Sequence, residues 1–277
     1  MRRRASLSGA VVVITGAGSG IGAATARLIA GRGARLHLAD VNGEAVRAVA
    51  AEIEAAGGEA TCHTLDVSDA AAVEQLAATV FAAKGRVDVL HNNAGIGHGA
   101  NIEATSAADW ERVISVNLLG VAYGVQAFVP RMLAQGGPAT VVNTASLAGL
   151  VPMAKMAPYC ASKFGVVGLS EALNAELSGR GIRVVAICPG IIDTPIVETG
   201  IVGGDLAAIH ERITSFYERR GASPEAVAAS VLRAIERPRL IVGVPRSHVV
   251  PIYLLHRLSP RLVQPLARNF ERLFGPR

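Results

Sequence analysis

The stretch "AVVVITGAGSGIG", residues 10–22, decides the fold: a β-branched run breaks into glycines and then leads into the Ala-rich "AATARLIAG". A short Val-rich run of this kind is a buried strand, and the Ala-rich segment after it is a helix. Gly16, Gly20 and Gly22 let the backbone of the turn approach a pyrophosphate, while Ser19, Gly20, Ile21 and Gly22 open a helix whose N–H groups face it. The spacing is not G-x-G-x-x-G, because the third glycine of that pattern falls on Ile21. Taken alone, the turn also fits a tight strand-to-helix connection. Asp40 adds a second signal. It ends the run "ARLHLAD" (34–40), 18 residues past Gly22, where a carboxylate accepts from an adenosine ribose and repels a 2′-phosphate. No Lys or Arg stands in the loop, and Val41 follows Asp40; NAD is therefore expected rather than NADP. Arg35 lies five positions back and reads as a solvated side chain.

Moving outward, similar runs recur at 60–67, 87–92, 139–144, 182–189 and 239–244, each separated from the next by a helix-length segment. Seven strands joined by such crossovers require a largely parallel sheet with both faces covered. Ser68 and Asp69 precede one helical segment and Gly85 follows it, while Ser223 and Pro224 precede another, as start and stop signals should. The rhythm breaks at about 196–221, a glycine-bounded insertion expected to be a mobile lid over the site.

The chain has 277 residues, of which 51% are hydrophobic and only 4% aromatic, so a single α/β domain over residues 1–250 is expected. The net charge of +5 is concentrated at the end, where Arg257, Arg261, Arg268, Arg272 and Arg277 face only Glu271. So local an excess does not indicate nucleic acid. Cys62, Cys160 and Cys188 form no CxxC pair, which argues against a disulfide framework or a metal site and for a reducing cytoplasm. The apolar run after Arg2, Arg3 and Arg4 is too short for an export signal. No run in the sequence is expected to reach the ~18 to 20 apolar residues that cross a bilayer.

Further along stand Asp66 with Val67, "NNAG" (92–95), Asn117, Ser146, Tyr159 and Lys163, then "PGIIDT" (189–194). With the glycine loop, this ordered set resembles the short-chain dehydrogenase/reductase family over roughly residues 8–245. The resemblance implies a Rossmann-like, doubly wound fold and an enzyme that transfers hydride between an alcohol and a nicotinamide cofactor. It implies that Asp66 and Val67 meet the adenine, that Asn93, Ala94 and Gly95 line the cofactor, and that Pro189, Gly190, Ile192 and Thr194 hold the nicotinamide end. Asn117, Ser146, Tyr159 and Lys163 are the implied catalytic residues. Asn117 would hold a water linking the lysine to solvent, and Tyr159 and Lys163 would also contact the cofactor. A homotetramer or homodimer built on helices near 109–134 and 158–179 is implied as well. His91, ahead of "NNAG", departs from the usual apolar residue and reads as a core histidine, as Cys160 reads as a small buried residue.

The chemistry is consistent with those roles. Tyr159 and Lys163 share a helix face at i, i+4, so the ammonium is expected to lower the phenol from its ordinary pKa of about 10 and make it a base. Ser146 would orient the substrate oxygen. Leu147, Met153, Met156, Ile191, Ile196, Ile201 and Phe216 are the expected pocket walls, favouring a hydrophobic alcohol or ketone. The alternatives are an NADPH-dependent carbonyl reductase, against which Asp40 speaks, and a non-catalytic cofactor-binding scaffold, against which the complete catalytic set speaks. The tail, 251–277, mixes Leu, Phe and Arg as a peripheral membrane helix does, but Pro260 and Pro265 interrupt it. Packing over the cleft or against another subunit is the preferred expectation.

Overall fold

The structure, a computed structural model, describes residues 7–268. The first strand, β1 (Val11–Thr15), is buried at every position and pairs in parallel with β2 (Arg35–Asp40) on one side and β4 (Val89–Asn92) on the other. With β3 (Glu59–Thr64), β6 (Ala139–Thr144), β7 (Ile182–Pro189) and β9 (Ile241–Val244), these strands form a seven-stranded sheet in the order β3-β2-β1-β4-β6-β7-β9. Every pairing in it is parallel. Two short strands, β5 (His98–Gly99) and β8 (Ile201–Val202), pair separately above its C-terminal edge.

The alternation of side chains along β1 divides the core into two layers. Val12 and Ile14 pack with Leu36 and Leu38 against α1 (Gly20–Ala30), α2 (Gly43–Ala55) and α8 (Pro224–Glu236). Val11 and Val13 face the opposite layer, where α3 (Ala70–Lys84) and α5 (Gly120–Ala134) supply Leu76, Val80, Phe128 and Met132, and α6 (Ala157–Leu177) supplies Leu177. The expected caps are present: Asp69 accepts from the N–H groups of Ala71 and Ala72, Gly85 ends α3 at φ 71°, and Ser223 caps α8.

Four expectations need correction. The third strand stops at Thr64, because Leu65, Asp66 and Val67 leave the sheet edge as the loop that carries Asp66. The fourth strand starts at Val89 rather than 87, and the last at Ile241 rather than 239. Finally, one continuous helical run, Ala107–Ala134, is long and apolar enough by composition to cross a membrane, at a mean hydropathy of 1.6, although half of that window is buried inside the protein. The run consists of α4 (Ala107–Ile114), a π-helical turn (Ser115–Leu119) and α5. Its apolarity serves the core, through Val113, Val116, Phe128 and Met132.

The segment anticipated as a lid, about 196–221, contains β8, a 3-10 helix (Gly204–Ile209) and α7 (His210–Arg220). After β9, α9 (Arg246–Leu258) and α10 (Pro260–Arg268) form a helical pair broken at Ser259, whose backbone is extended. Residues 269–277 of the expected tail lie outside the described residues.

Candidate active site

The sheet order reverses between β1 and β4, and a crevice opens there at the carboxyl ends of the strands, the usual binding place in such sheets. It is a cleft of about 1590 Å³. Of the residues singled out in the sequence, Gly16, Ser19, Gly20, Ile21, Asp40, Asp66, Val67, Asn93, Ala94, Gly95, Ser146, Tyr159, Lys163, Pro189, Gly190, Ile192 and Thr194 all line it. Gly22 and Asn117 do not; both act from behind the wall.

At one end, Gly16 takes φ 63°, and a Cβ there would come 2.7 Å from the Ala94 Cα. A Cβ on Gly22 would collide with the Gly16 carbonyl oxygen, so this glycine is required for helix and loop to meet. The N-cap of α1, Ser19, makes no side-chain capping bond. An uncapped helix N-terminus entered by a glycine loop fits a dinucleotide pyrophosphate. Asp40 Oδ2 accepts from Gly18 N at 2.9 Å and Oδ1 from Asn42 N at 2.9 Å, which fixes the carboxylate at the lip of the cleft. Gly18 belongs to the site and was missed in the sequence; a Cβ there would stand 3.0 Å from Asp40 Oδ2, so a second glycine in the loop was the available signal.

Asp66 is not the helix cap that its position before α3 allowed, since Asp69 does that work. Its Oδ1 accepts from the N–H and hydroxyl of Ser68 at 2.9 and 2.7 Å, and its Oδ2 from Arg112 at 3.2 Å. Burial pushes its pKa up, but these hydrogen bonds outweigh burial and leave it below the usual carboxylate range.

The "NNAG" segment is tied to the end of β1. The Asn93 and Ala94 N–H groups donate to the Thr15 hydroxyl at 3.0 and 3.2 Å, and Asn93 Nδ2 donates to the carbonyls of Thr15 and Gly16. Opposite, the Asn117 amide clamps Ile96, accepting from its N–H at 2.8 Å and donating to its carbonyl at 2.9 Å. Asn117 sits in the π-helical turn, a local widening that lets a buried amide reach sideways out of a helix. It also donates to Ser162 at 3.3 Å, and Ser162 donates to the Tyr159 carbonyl at 2.7 Å.

The helix α6 starts with Pro158 in its first turn and directs Tyr159 and Lys163 from one face toward the end of β6. Lys163 Nζ donates to the Thr144 carbonyl at 3.1 Å and lies 5.7 Å from the centroid of the Tyr159 ring. The Ser146 hydroxyl accepts from Ala148 N at 3.1 Å and stands near enough to the Tyr159 phenol to lower its pKa. The expected lowering of the phenol is not found in the protein alone. Burial raises the Tyr159 pKa to about 12, and Ser146 opposes it only in part. Burial likewise brings Lys163 down to about 8. Desolvation dominates both shifts.

Around this centre, the expected apolar walls Leu147, Met153, Met156, Ile191, Ile196, Ile201 and Phe216 all line the cleft. The sequence reading missed Thr144, whose carbonyl anchors Lys163, and Tyr217 of α7, whose phenol is raised by burial and by the nearby Tyr159. Cys160 is a buried packing residue whose Sγ meets the Met153 backbone. Among the described residues no group of three or more His, Cys, Asp or Glu side chains could hold a metal.

The comparisons with known proteins agree with this geometry. The short chain dehydrogenase family model matches residues 10–200. A protein named "Probable oxidoreductase EphD" from Mycobacterium tuberculosis (strain H37Rv) is 38% identical over 274 residues, covering 96% of this chain and 46% of that protein, so the chain spans just under half the length of that relative. D-threitol dehydrogenase of Mycolicibacterium smegmatis is 41% identical over 229 residues, 82% of this chain and 85% of that protein. A short-chain dehydrogenase/reductase from Burkholderia phymatum, solved in complex with NAD, superposes with a TM-score of 0.86 at 34% identity, covering 95% of this chain and 97% of that one. A metagenomic short-chain oxidoreductase in complex with NADP does so with 0.71 at 36% identity, covering 86% and 97%. The chain belongs to the short-chain dehydrogenase/reductase family of oxidoreductases.

Proposed function

We propose that this protein is an NAD-dependent dehydrogenase that interconverts a hydrophobic secondary alcohol and its ketone, with Tyr159 as the general acid/base. The observation that carries the reading is the convergence of Ser146, Tyr159 and Lys163 on one wall of a cleft whose far lip holds Asp40. The uncapped N-terminus of α1, Gly16 and Gly20 would hold the pyrophosphate, Asp40 the adenosine ribose, and Pro189 to Thr194 the nicotinamide end.

When bound, the oxidised cofactor supplies the hydride acceptor and a positive charge close to Tyr159. The chain does the rest. Ser146 donates to the substrate oxygen and holds it against Tyr159, which takes the hydroxyl proton in oxidation and returns it in reduction. Lys163, held by the Thr144 carbonyl, favours the phenolate, and with a pKa near 8 it can itself pass a proton on. Asn117 keeps the Ile96 backbone and α6 in register, so that this contact survives turnover. The apolar walls and the lid exclude water and accept a hydrocarbon body.

Cofactor choice is tested by comparing kcat/KM with NAD and with NADP across a panel of cyclic and aliphatic secondary alcohols. A 2′-phosphate about 5 Å from Asp40 is repelled by about 3 kcal/mol at an effective dielectric of ~20, a preference for NAD on the order of 100-fold. Asp40→Ala should shrink that ratio by at least about tenfold. Equal efficiency with both cofactors in the unaltered protein refutes NAD specificity and favours the NADPH-dependent reductase.

A further inference from the structure

We propose that the outer face of the α9–α10 pair docks onto an anionic lipid bilayer. The inner face of the pair is accounted for. Val249 and Val263 are buried in the same cluster as Tyr159, Ala267 is buried beside them, and its carbonyl accepts from Ala154 N at 3.1 Å, so the pair roofs the substrate end of the cleft. The sequence-based preference for packing over the cleft therefore describes only half of the pair's surface.

The other half is a row of leucines in solvent. Leu254, Leu255 and Leu258 are 55%, 45% and 79% exposed on α9, and Leu262 is 58% exposed on α10. They recur at helical spacing, so each helix presents one apolar stripe. Between the stripes stand Arg257 and Arg261, both exposed, with exposed Arg246 and Arg268 at the two ends. From residue 246 to 268 there is no aspartate or glutamate. A solvated helix face normally carries charges of both signs; exposed leucine with arginine alone is the composition of a helix lying in a lipid interface, its guanidinium groups reaching to headgroup phosphates. Neither helix is long enough to span: α9 has 13 residues and α10 has 9. Two short helices set at an angle by the extended Ser259 can lie in one plane and enter it only to side-chain depth.

Charge also decides against a second copy as the occupant. An isologous contact through this face sets one arginine row against another with no carboxylate among residues 246–268 of either copy to pair it. Leu266, next along the α10 stripe, and Arg268 also line the cleft, so the docked face adjoins its rim. That an apolar alcohol could enter there straight from the bilayer rests on the dehydrogenase reading; the docking itself does not.

The test is co-sedimentation of the full chain with vesicles of phosphatidylcholine alone and of phosphatidylcholine with about one quarter phosphatidylglycerol, at low and high salt. The bound fraction should be at least several-fold higher on the anionic vesicles and should fall with salt. It should be lost in Leu258→Asp/Leu262→Asp and reduced in Arg257→Glu/Arg261→Glu, with melting temperatures unchanged within about 2 °C in both. No sedimentation beyond that of protein alone, or sedimentation untouched by both variants, overturns the proposal. So does a concentration-dependent dimer that the leucine variant dissolves without any vesicle binding, or equal binding to soluble poly-glutamate that the leucine variant retains. Because the readout is not turnover, failure of the proposed activity leaves the result interpretable.

Discussion

His91 shows what a single buried residue does to the stability of this protein. It is fully buried, with Nε2 2.9 Å from the Thr144 hydroxyl, which itself donates to Asn93 Oδ1 at 3.1 Å. Having given its proton to Asn93, the Thr144 hydroxyl accepts from His91, which sets the ring as the Nε2–H tautomer. Among the described residues Nδ1 has no partner. The sequence-based reading of His91 as a core histidine stands, but as one satisfied on one side only. Burial holds its pKa down to about 3, and burial together with the neighbouring His63 holds His37 at about 4. Below about pH 6.5 the unfolded chain takes up protons that the folded chain refuses, so stability falls as pH drops from 6.5 toward these values. The slope from His91 approaches about 1.4 kcal/mol per pH unit, and His37 adds in the same direction. In urea titrations between pH 6 and 4, His91→Gln, which can still donate to Thr144 but cannot titrate, should remove about that much of the slope. An unchanged slope would show that His91 does not carry the acid sensitivity.

At the scale of elements, the glycine loop and the crossovers were legible because each rests on local rules: Val-rich runs of strand length, capping residues, and glycines where the backbone must come close. The insertion at 196–221 was legible only as an interruption. What holds it is a set of contacts distant in sequence. Asp205 Oδ2 accepts from Lys155 Nζ at 3.0 Å and from Asn101 Nδ2 at 3.0 Å, while β8 pairs with β5. Lys155 has φ 61°, a strained value for a residue with a side chain, and its carbonyl accepts from Ala100 N at 2.8 Å. It stands beside the catalytic set in sequence and belongs to the latch in space. Asp205→Ala should leave the melting temperature unchanged, because the carboxylate is exposed and solvated. It should speed limited proteolysis within residues 196–221 and raise KM for the alcohol by a few-fold, with kcat affected less. Proteolysis at the unaltered rate would show that these contacts do not hold the segment. Asn117 was singled out through the family resemblance, but the π-helical turn that uses it was not legible, because the turn depends on how α4 and α5 meet α6.

At the scale of the whole molecule, the parallel sheet was legible and the electrostatics of its site were not. Seven β-branched runs separated by helix lengths leave few alternatives to a doubly wound sheet, and most of the residues that line the cleft's candidate site stood out as an ordered set from residue 16 to residue 194. The direction of the Tyr159 shift could not be read from a Tyr-x-x-x-Lys spacing, because it depends on how much water the surrounding helices exclude. Nor could the leucine face of the tail, since the sequence does not say which side of α9 and α10 meets the body. The central claim remains that Tyr159 moves the substrate proton in a cleft that binds NAD independently of that step. Its most direct measurement is NADH formation by Tyr159→Phe and by the unaltered protein on the same secondary alcohol, with NAD binding measured on both. The account predicts that turnover falls by about 10²-fold or more, the scale of a lost general base, while NAD affinity changes by less than about threefold. Retained turnover in the phenylalanine variant would contradict it.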